Sequence, residues 1–250
     1  MQEITPDPEQ ESREIVGLGE TVGFGGLGAK LNWLRAAVLG ANDGVVSGAG
    51  ITIGVAAADP TNLHTIMLAG MAGLLAGASA MAMGEYVSVS SQRDTEEALI
   101  SRERHDLEHT PGEEFDELVD VYHRQGLSRA TARTVVEELT AHNPLAAHLR
   151  AEYGVHQQEL TTPWHAAFAS AVAFTSGFVL PLVSMVLCAS ELRIPVTVIV
   201  GLVGLFLTGW TSAVISGSSK TRPIVRNVIG GAIAMLVTWG ISRFFGVGLG

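Results

Sequence analysis

The stretch TIMLAGMAGLLAGASAMAMGEYVSV (Thr65–Val89), followed directly by SSQRDTEEALISRERHDLE (Ser90–Glu108), decides the fold of this chain. Neither half contains proline, and the first half is apolar and rich in small residues whereas the second is densely charged. One helix over the whole stretch would be roughly 65 Å long, about twice the thickness of a bilayer core. The pattern therefore predicts a helix that crosses a membrane and continues into water with carboxylates on its wet end.

Four further apolar segments have the length of about 20 residues that a bilayer requires. They are Leu34–Ala58, Trp164–Ala189, Pro195–Ile215 and Val225–Phe245. Between the second and third spans, Pro111-Gly112, Gly126 and Asn143-Pro144 separate short helical patterns. The sequence predicts an all-α fold, a five-helix transmembrane domain with a cytosolic helical metal-binding domain between spans two and three. The predicted domains are a flexible cytosolic N-terminal segment (1–29), spans one and two (30–90), the metal-binding domain (91–162) and spans three to five (163–250).

Positively charged residues near the span ends predict the orientation of the chain. In a chain that crosses five times, three groups of them fall on one side: Lys30 with Arg35, Arg93 with Arg102 and Arg104, and Lys220 with Arg222 and Arg226. We therefore predict that this side is cytosolic, together with the N-terminus and residues 91–162. The C-terminus is then outside.

Charge and cysteine content exclude several functional classes. The net charge of -10 argues against nucleic-acid binding, for which a basic face is expected. The single cysteine, Cys188, excludes an intrachain disulfide and a cysteine-based zinc site. The acidic N-terminus lacks the positive region of a secretory signal. We predict neither an enzyme nor an organic cofactor.

Asp43, which follows Asn42 inside the first span, is the most informative single residue. A carboxylate deep in a span costs about 2.5–3.5 kcal/mol on insertion scales, and such residues usually handle ions or protons. The neighbouring glycines Gly40, Gly44, Gly48 and Gly50 would let this helix open and expose its carbonyls. The alternative is a structural polar contact with another span.

Met81 and Glu85 in the second span are four residues apart and share one helix face. A thioether and a carboxylate together suit a borderline divalent cation such as Fe²⁺. The alternatives are core packing for Met81 and simple hydration at the membrane interface for Glu85.

The soluble segment repeats donor pairs at one-turn spacing on three predicted helices. The pairs are Glu103 with Asp106, Glu114 with Glu117, and His148 with Glu152. Carboxylate and imidazole groups on three helices would suit divalent cations if the helices converge. Taken singly, each pair is more simply a solvated helix face.

Several motifs resemble those of the vacuolar iron transporter family, which also includes bacterial Fe²⁺/Mn²⁺ transporters. The motifs are GANDGVVS (40–47), AGLLAGASAMAMGEYVSVSSQRDTEEA (72–98), RERHDLEHTPGEEFDEL (102–118) and the segment that begins TGWTSAVISG (208–217). The resemblance implies a homodimer that exports Fe²⁺, and also Mn²⁺, from the cytosol in exchange for protons. It also implies that Asp43 and Met81 lie on the transport path, and we predict that Asn42 and Glu85 belong to the same path. The cytosolic ligands that it implies are Glu103, Asp106, Glu114, Glu117, His148 and Glu152.

Three departures from the family pattern stand out. The plant members have a glutamate where this chain has Gly73, and a glycine where it has Glu85. Asp106 replaces a longer glutamate. His148 stands where the family has methionine, which predicts a harder, pH-sensitive site.

The likeness to bacterial-type members implies a cell membrane rather than a vacuole. The competing hypothesis is a membrane-anchored, ferritin-like protein that binds or oxidises iron. That chemistry uses Glu-x-x-His pairs, whereas this chain has only Asp-x-x-His pairs.

Overall fold

The computed structural model describes residues 27–154, 162–217 and 219–248. Within these ranges every regular element is a helix, so the all-α prediction is confirmed. The helices are α1 (Leu27–Ala58), α2 (Leu63–His109), α3 (Pro111–Arg124), α4 (Arg129–His142), α5 (Pro144–Glu152), α6 (Pro163–Leu187), α7 (Arg193–Ile215) and α8 (Thr221–Gly248). Most of the predicted N-terminal segment lies outside the described residues.

Helix α2 runs without interruption through the apolar and the charged halves of the opening stretch, as predicted. It ends at His109 because Pro111 disfavours helical geometry at the residue before it. Pro111 then occupies the first turn of α3, where its missing N–H costs nothing.

Five helices in the described part of the chain, α1, α2, α6, α7 and α8, are long and apolar enough to cross a membrane. The predicted number of spans is therefore confirmed by length and composition. With 47 residues, α2 is about 70 Å long, more than twice the thickness of a bilayer core, and its apolar part is Thr65–Val89.

The described residues divide into two compact units. We call residues 89–154 the polar unit, and residues 31–88 with 162–248 the apolar unit. In the order of the chain, α3, α4 and α5 lie between the second and third candidate spans.

Glycines in the apolar unit allow α1 and α6 to touch backbone to backbone. A Cβ atom added at Gly44 would lie 2.1 Å from the carbonyl oxygen of Phe174, and one at Gly177 would lie 2.2 Å from that of Ala41. Helix α1 remains unbroken through Gly44 and Gly48. The prediction that these glycines open the helix was therefore wrong, because they serve close packing in an apolar environment.

The polar unit is held together by a small hydrophobic core between α3, α4 and α5. Leu118, Ala132 and Val136 are fully buried there. Two side-chain caps begin the helices: Ser128 accepts a hydrogen bond from the Thr131 N–H, and Asn143 accepts one from the Ala146 N–H. The capping residues Ser128 and Asn143 therefore determine where α4 and α5 begin.

Candidate metal centre

Four predicted ligands converge inside the polar unit. Glu103 of α2, Glu114 of α3, and His148 and Glu152 of α5 each offer one ligand atom, and these atoms all lie within 4.8 Å of one another. His148 Nδ1 is 3.0 Å from Glu103 Oε1, 3.0 Å from Glu152 Oε1 and 3.8 Å from Glu114 Oε2. We call these four residues the acidic cluster.

Local structure explains how each helix delivers its ligand. Glu114 lies in the first turn of α3, where a negative side chain interacts favourably with the helix dipole. His148 and Glu152 are one turn apart on α5, so both side chains lie on the same face. His148 is itself 1% exposed, so its side chain lies inside the polar unit.

The acidic cluster leaves one buried oxygen unsatisfied. The His148 Nδ1 atom forms its hydrogen bond with Glu152 Oε1. One N–H group cannot donate a good hydrogen bond to two oxygens at once. Glu103 Oε1 therefore has no hydrogen-bond partner among the residues that the structure describes. A buried carboxylate oxygen without a donor is costly. A coordinated cation or a bound proton would supply the missing interaction.

The negative charges of the acidic cluster favour binding of a cation. Burial raises the pKa of Glu103 to about 7, and the negative charges of Glu152 and Glu114 add to the effect. The pKa of Glu114 is also raised, first by burial and then by Glu117. A divalent cation would relieve this repulsion and hold the carboxylates ionised.

Two predicted ligands, Asp106 and Glu117, lie outside the four-residue group. Asp106 pairs with Arg102 at 3.5 Å, and Glu117 is exposed. Both still contribute negative charge that raises the pKa of Glu103. Their role as direct ligands stays a prediction.

The raised pKa of Glu103 predicts that the metal-free polar unit becomes less stable as pH rises. The folded-state pKa is above the unfolded one, so the stabilising contribution is fully present below about pH 4.5 and is lost as pH rises through about 7. The expected loss is about 2–3 kcal/mol. Amide hydrogen exchange in α3, corrected for intrinsic rates, should show less protection at pH 8 than at pH 5.5.

The matched control for this prediction is Glu103→Gln, which keeps the size of the side chain and removes its charge. The groups that face Glu103 are Glu114, His148 and Glu152, and they are unchanged in this variant. Protection in the variant should vary less over the same pH range, because only the raised pKa of Glu114 remains. An equal pH dependence in both proteins would assign the effect to other groups.

The predicted path residues lie on α1 and α2 of the apolar unit. Asp43 Oδ1 accepts a hydrogen bond from Ser47 Oγ at 3.2 Å, and Met81 packs against the Phe174–Phe178 cluster. Asn42 Oδ1 is buried and lacks a hydrogen-bond partner among the described residues. Within the described part of the chain, no hydrogen bond or ion pair joins Asn42, Asp43 or Glu85 to one another.

Sequence reasoning missed the partner of Glu85. Its side chain is 11% exposed, and its Oε1 lies 3.7 Å from Arg35 Nη2. The pairing joins the start of the first span to the end of the second. The sequence does contain a signal for this pair, because Arg35 and Glu85 have opposite charges and lie at span ends on the same predicted side.

Comparison with known proteins places the chain in a family. A sequence model described as the VIT family matches residues 34–243. A vacuolar iron transporter of Acanthamoeba castellanii is 37% identical over 211 residues, which cover 84% of this chain and 77% of that protein. Vacuolar iron transporter homologs of Arabidopsis thaliana (34% identical, 87% and 83% covered) and Oryza sativa subsp. japonica (36% identical, 88% and 83% covered) are similar as well. The likeness noted in the motifs is confirmed, and this chain belongs to the VIT family.

Proposed function

We propose that this protein is a membrane transporter that exports Fe²⁺, Mn²⁺ or both from the cytosol in exchange for protons. The observation that carries the proposal is the acidic cluster, in which a buried Glu103 oxygen lacks a donor. The names of the relatives, vacuolar iron transporter and its homologs, support iron as the cargo. Five apolar helices support passage through a membrane.

The cluster is suited to capture of the cargo. Three carboxylates and one imidazole make a borderline-to-hard ligand set, which Fe²⁺ and Mn²⁺ both accept. The ion would replace the missing donor at Glu103 Oε1 and offset the mutual repulsion of Glu103, Glu114 and Glu152. We propose that the polar unit is cytosolic, so that this capture draws on the cytosolic pool.

Asp43 supplies the coupling to protons in this proposal. An ionised Asp43 attracts the metal ion within the span, and a protonated one releases it. The difference in affinity between these two protonation states links the two fluxes. Met81 provides a thioether on the same path, and Glu85, which pairs with Arg35, is a second carboxylate near the span end.

We further propose a homodimer in the cell membrane. The exposed face of α2 carries a run of small residues at four-residue spacing, which supports close helix contact in lipid. These residues are Ala72, Ala76, Ala80 and Gly84. The charge distribution at the span ends supports a cytosolic N-terminus and an external C-terminus.

Metal-dependent proton flux in proteoliposomes tests the proposed activity. Purified protein is reconstituted with a pH-sensitive dye inside, and Fe²⁺, Mn²⁺, Zn²⁺ and Ca²⁺ are compared with and without a pH gradient. Proton movement that requires Fe²⁺ or Mn²⁺ supports the proposal. Metal uptake without proton movement would refute the coupling, and oxygen consumption on addition of Fe²⁺ without uptake would favour the oxidase.

Charge removal at the acidic cluster should separate direct ligands from their neighbours. We expect Glu114→Gln to weaken Mn²⁺ binding about tenfold or more, because it removes a charged ligand at a partly buried position. Glu117→Gln is the matched control: it lies one turn later on the same helix but outside the cluster. Its effect should be clearly smaller. Calorimetric titration of the full chain measures both, and equal losses would make Glu117 a ligand.

A further inference from the structure

A cavity of about 360 Å³ lies in the apolar unit between α1, α7 and α8. Five polar side chains contribute to its wall: Arg35, Asn42, Ser212, Arg226 and Asn227. Neither the proposed metal path nor the acidic cluster accounts for Arg226 or Asn227 of this cavity, whereas Arg35 also pairs with Glu85 of the proposed path. A second cavity between the same helices is lined by apolar side chains and tryptophan, so the two described cavities differ in polarity.

The cavity wall is positively charged. Two guanidinium groups and no carboxylate line it. Arg226 forms no salt bridge with any residue in the described ranges. The ion pair of Arg35 with Glu85 is 3.7 Å long, which exceeds a hydrogen bond and leaves the Arg35 N–H groups available.

Amide groups in the wall also lack strong partners. Asn42 Oδ1 is buried without a hydrogen-bond partner among the described residues. The Asn227 side chain makes one long hydrogen bond, 3.5 Å, from its Nδ2 to Thr208 Oγ1. Arginine forks and amide N–H groups match phosphate oxygens, and a hydroxyl beside the phosphate would satisfy Asn42 Oδ1.

We propose that this cavity binds the phosphate group of an anionic phospholipid. Arg35 begins the first span, whereas Arg226 and Asn227 begin the last and Ser212 ends the fourth. The cavity therefore lies at the positively charged end of the apolar unit, the end that the distribution of basic residues assigns to the cytosolic leaflet. Basic pockets between spans on that side bind anionic headgroups. The inference does not depend on which metal ion is carried, although Arg35 and Asn42 of the cavity lie beside the proposed path.

Native mass spectrometry of the detergent-solubilised full chain tests this lipid site. Phosphatidylglycerol, which carries hydroxyls next to its phosphate, should be retained in preference to phosphatidylcholine. Arg226→Gln should reduce phosphatidylglycerol retention about tenfold through loss of a charge-assisted contact. Arg222→Gln is the matched control, because it removes the same charge one turn earlier on α8 without lining the cavity.

Several results would contradict the lipid site. Unchanged retention in Arg226→Gln, an equal loss in Arg222→Gln, or equal binding of the two lipids would each overturn the proposal. A second variant, Arg35→Gln, should also lose the lipid, and its size-exclusion profile checks that it is folded. Competition with millimolar inorganic phosphate then identifies the source: displacement assigns the site to soluble phosphate as well, whereas retention assigns it to the lipid.

Discussion

Asp43→Asn is expected to abolish pH-driven metal uptake into inside-out vesicles, with a loss of about 100-fold or more. The amide keeps the size of the side chain and the acceptor for the Ser47 hydroxyl, which lies 3.2 Å from Asp43 Oδ1. It cannot titrate, so the two states of the transporter no longer differ in affinity for the ion. Without that difference the proton gradient has nothing to act on.

Ser47→Ala is the matched control for this variant. It removes the same hydrogen bond but leaves the carboxylate, so uptake should continue. Uptake by the two variants is compared in vesicles of equal protein content, and size-exclusion chromatography checks that each variant is folded. Normal uptake by Asp43→Asn would remove Asp43 from the mechanism. Loss of uptake in both variants would show that transport needs the Ser47 hydrogen bond as well as the carboxylate.

Gly44→Ala is expected to prevent α1 from docking against α6. The added Cβ would lie 2.1 Å from the Phe174 carbonyl oxygen and 2.9 Å from the Phe178 amide nitrogen. Backbone atoms cannot rotate away as a side chain can, so the helices must separate. Overpacking a tight core costs about 1–3 kcal/mol, and a backbone contact belongs at or above the upper end. Little monodisperse protein should be recovered, with a lowered thermal midpoint in detergent.

Gly230→Ala provides the comparison, because a Cβ atom at Gly230 has no atom within 4 Å. It lies in an apolar helix as Gly44 does, and the added methyl group should leave yield and midpoint nearly unchanged. A Gly44→Ala protein as stable as the Gly230→Ala protein would show that α1 and α6 do not pack as described. Substitution of Asp43 is thus expected to affect transport, whereas substitution of the adjacent Gly44 is expected to affect folding.

Much of the fold could be predicted because the physical constraints are local. A bilayer requires apolar runs of fixed length, so the five spans stand out in the sequence. Asn143-Pro144 marks the start of α5, because a side-chain cap and a proline act within one turn. The uninterrupted α2 followed from the absence of proline over its whole length.

The metal site was only partly predictable, because the approach of ligands from different helices depends on tertiary packing. One-turn spacing placed Glu114 and Glu117 on one helix face, but only the packing of α3 against α5 decides which of them reaches His148. The glycines of α1 were misinterpreted for the same reason, since Gly44 packs against Phe174, which lies 130 positions later in the chain. The Arg35–Glu85 pair likewise joins two helices whose register the sequence does not specify.

The unsatisfied oxygen of Glu103 has a consequence for how long the protein survives in a cell. A folded state that ligand binding stabilises opens less often when that ligand is plentiful. Proteases cut the opened form, so their rate follows the population of that form. Under metal scarcity at neutral pH, residues 89–154 would be nicked sooner, and the abundance of the protein would track the supply of its own cargo without any dedicated regulator.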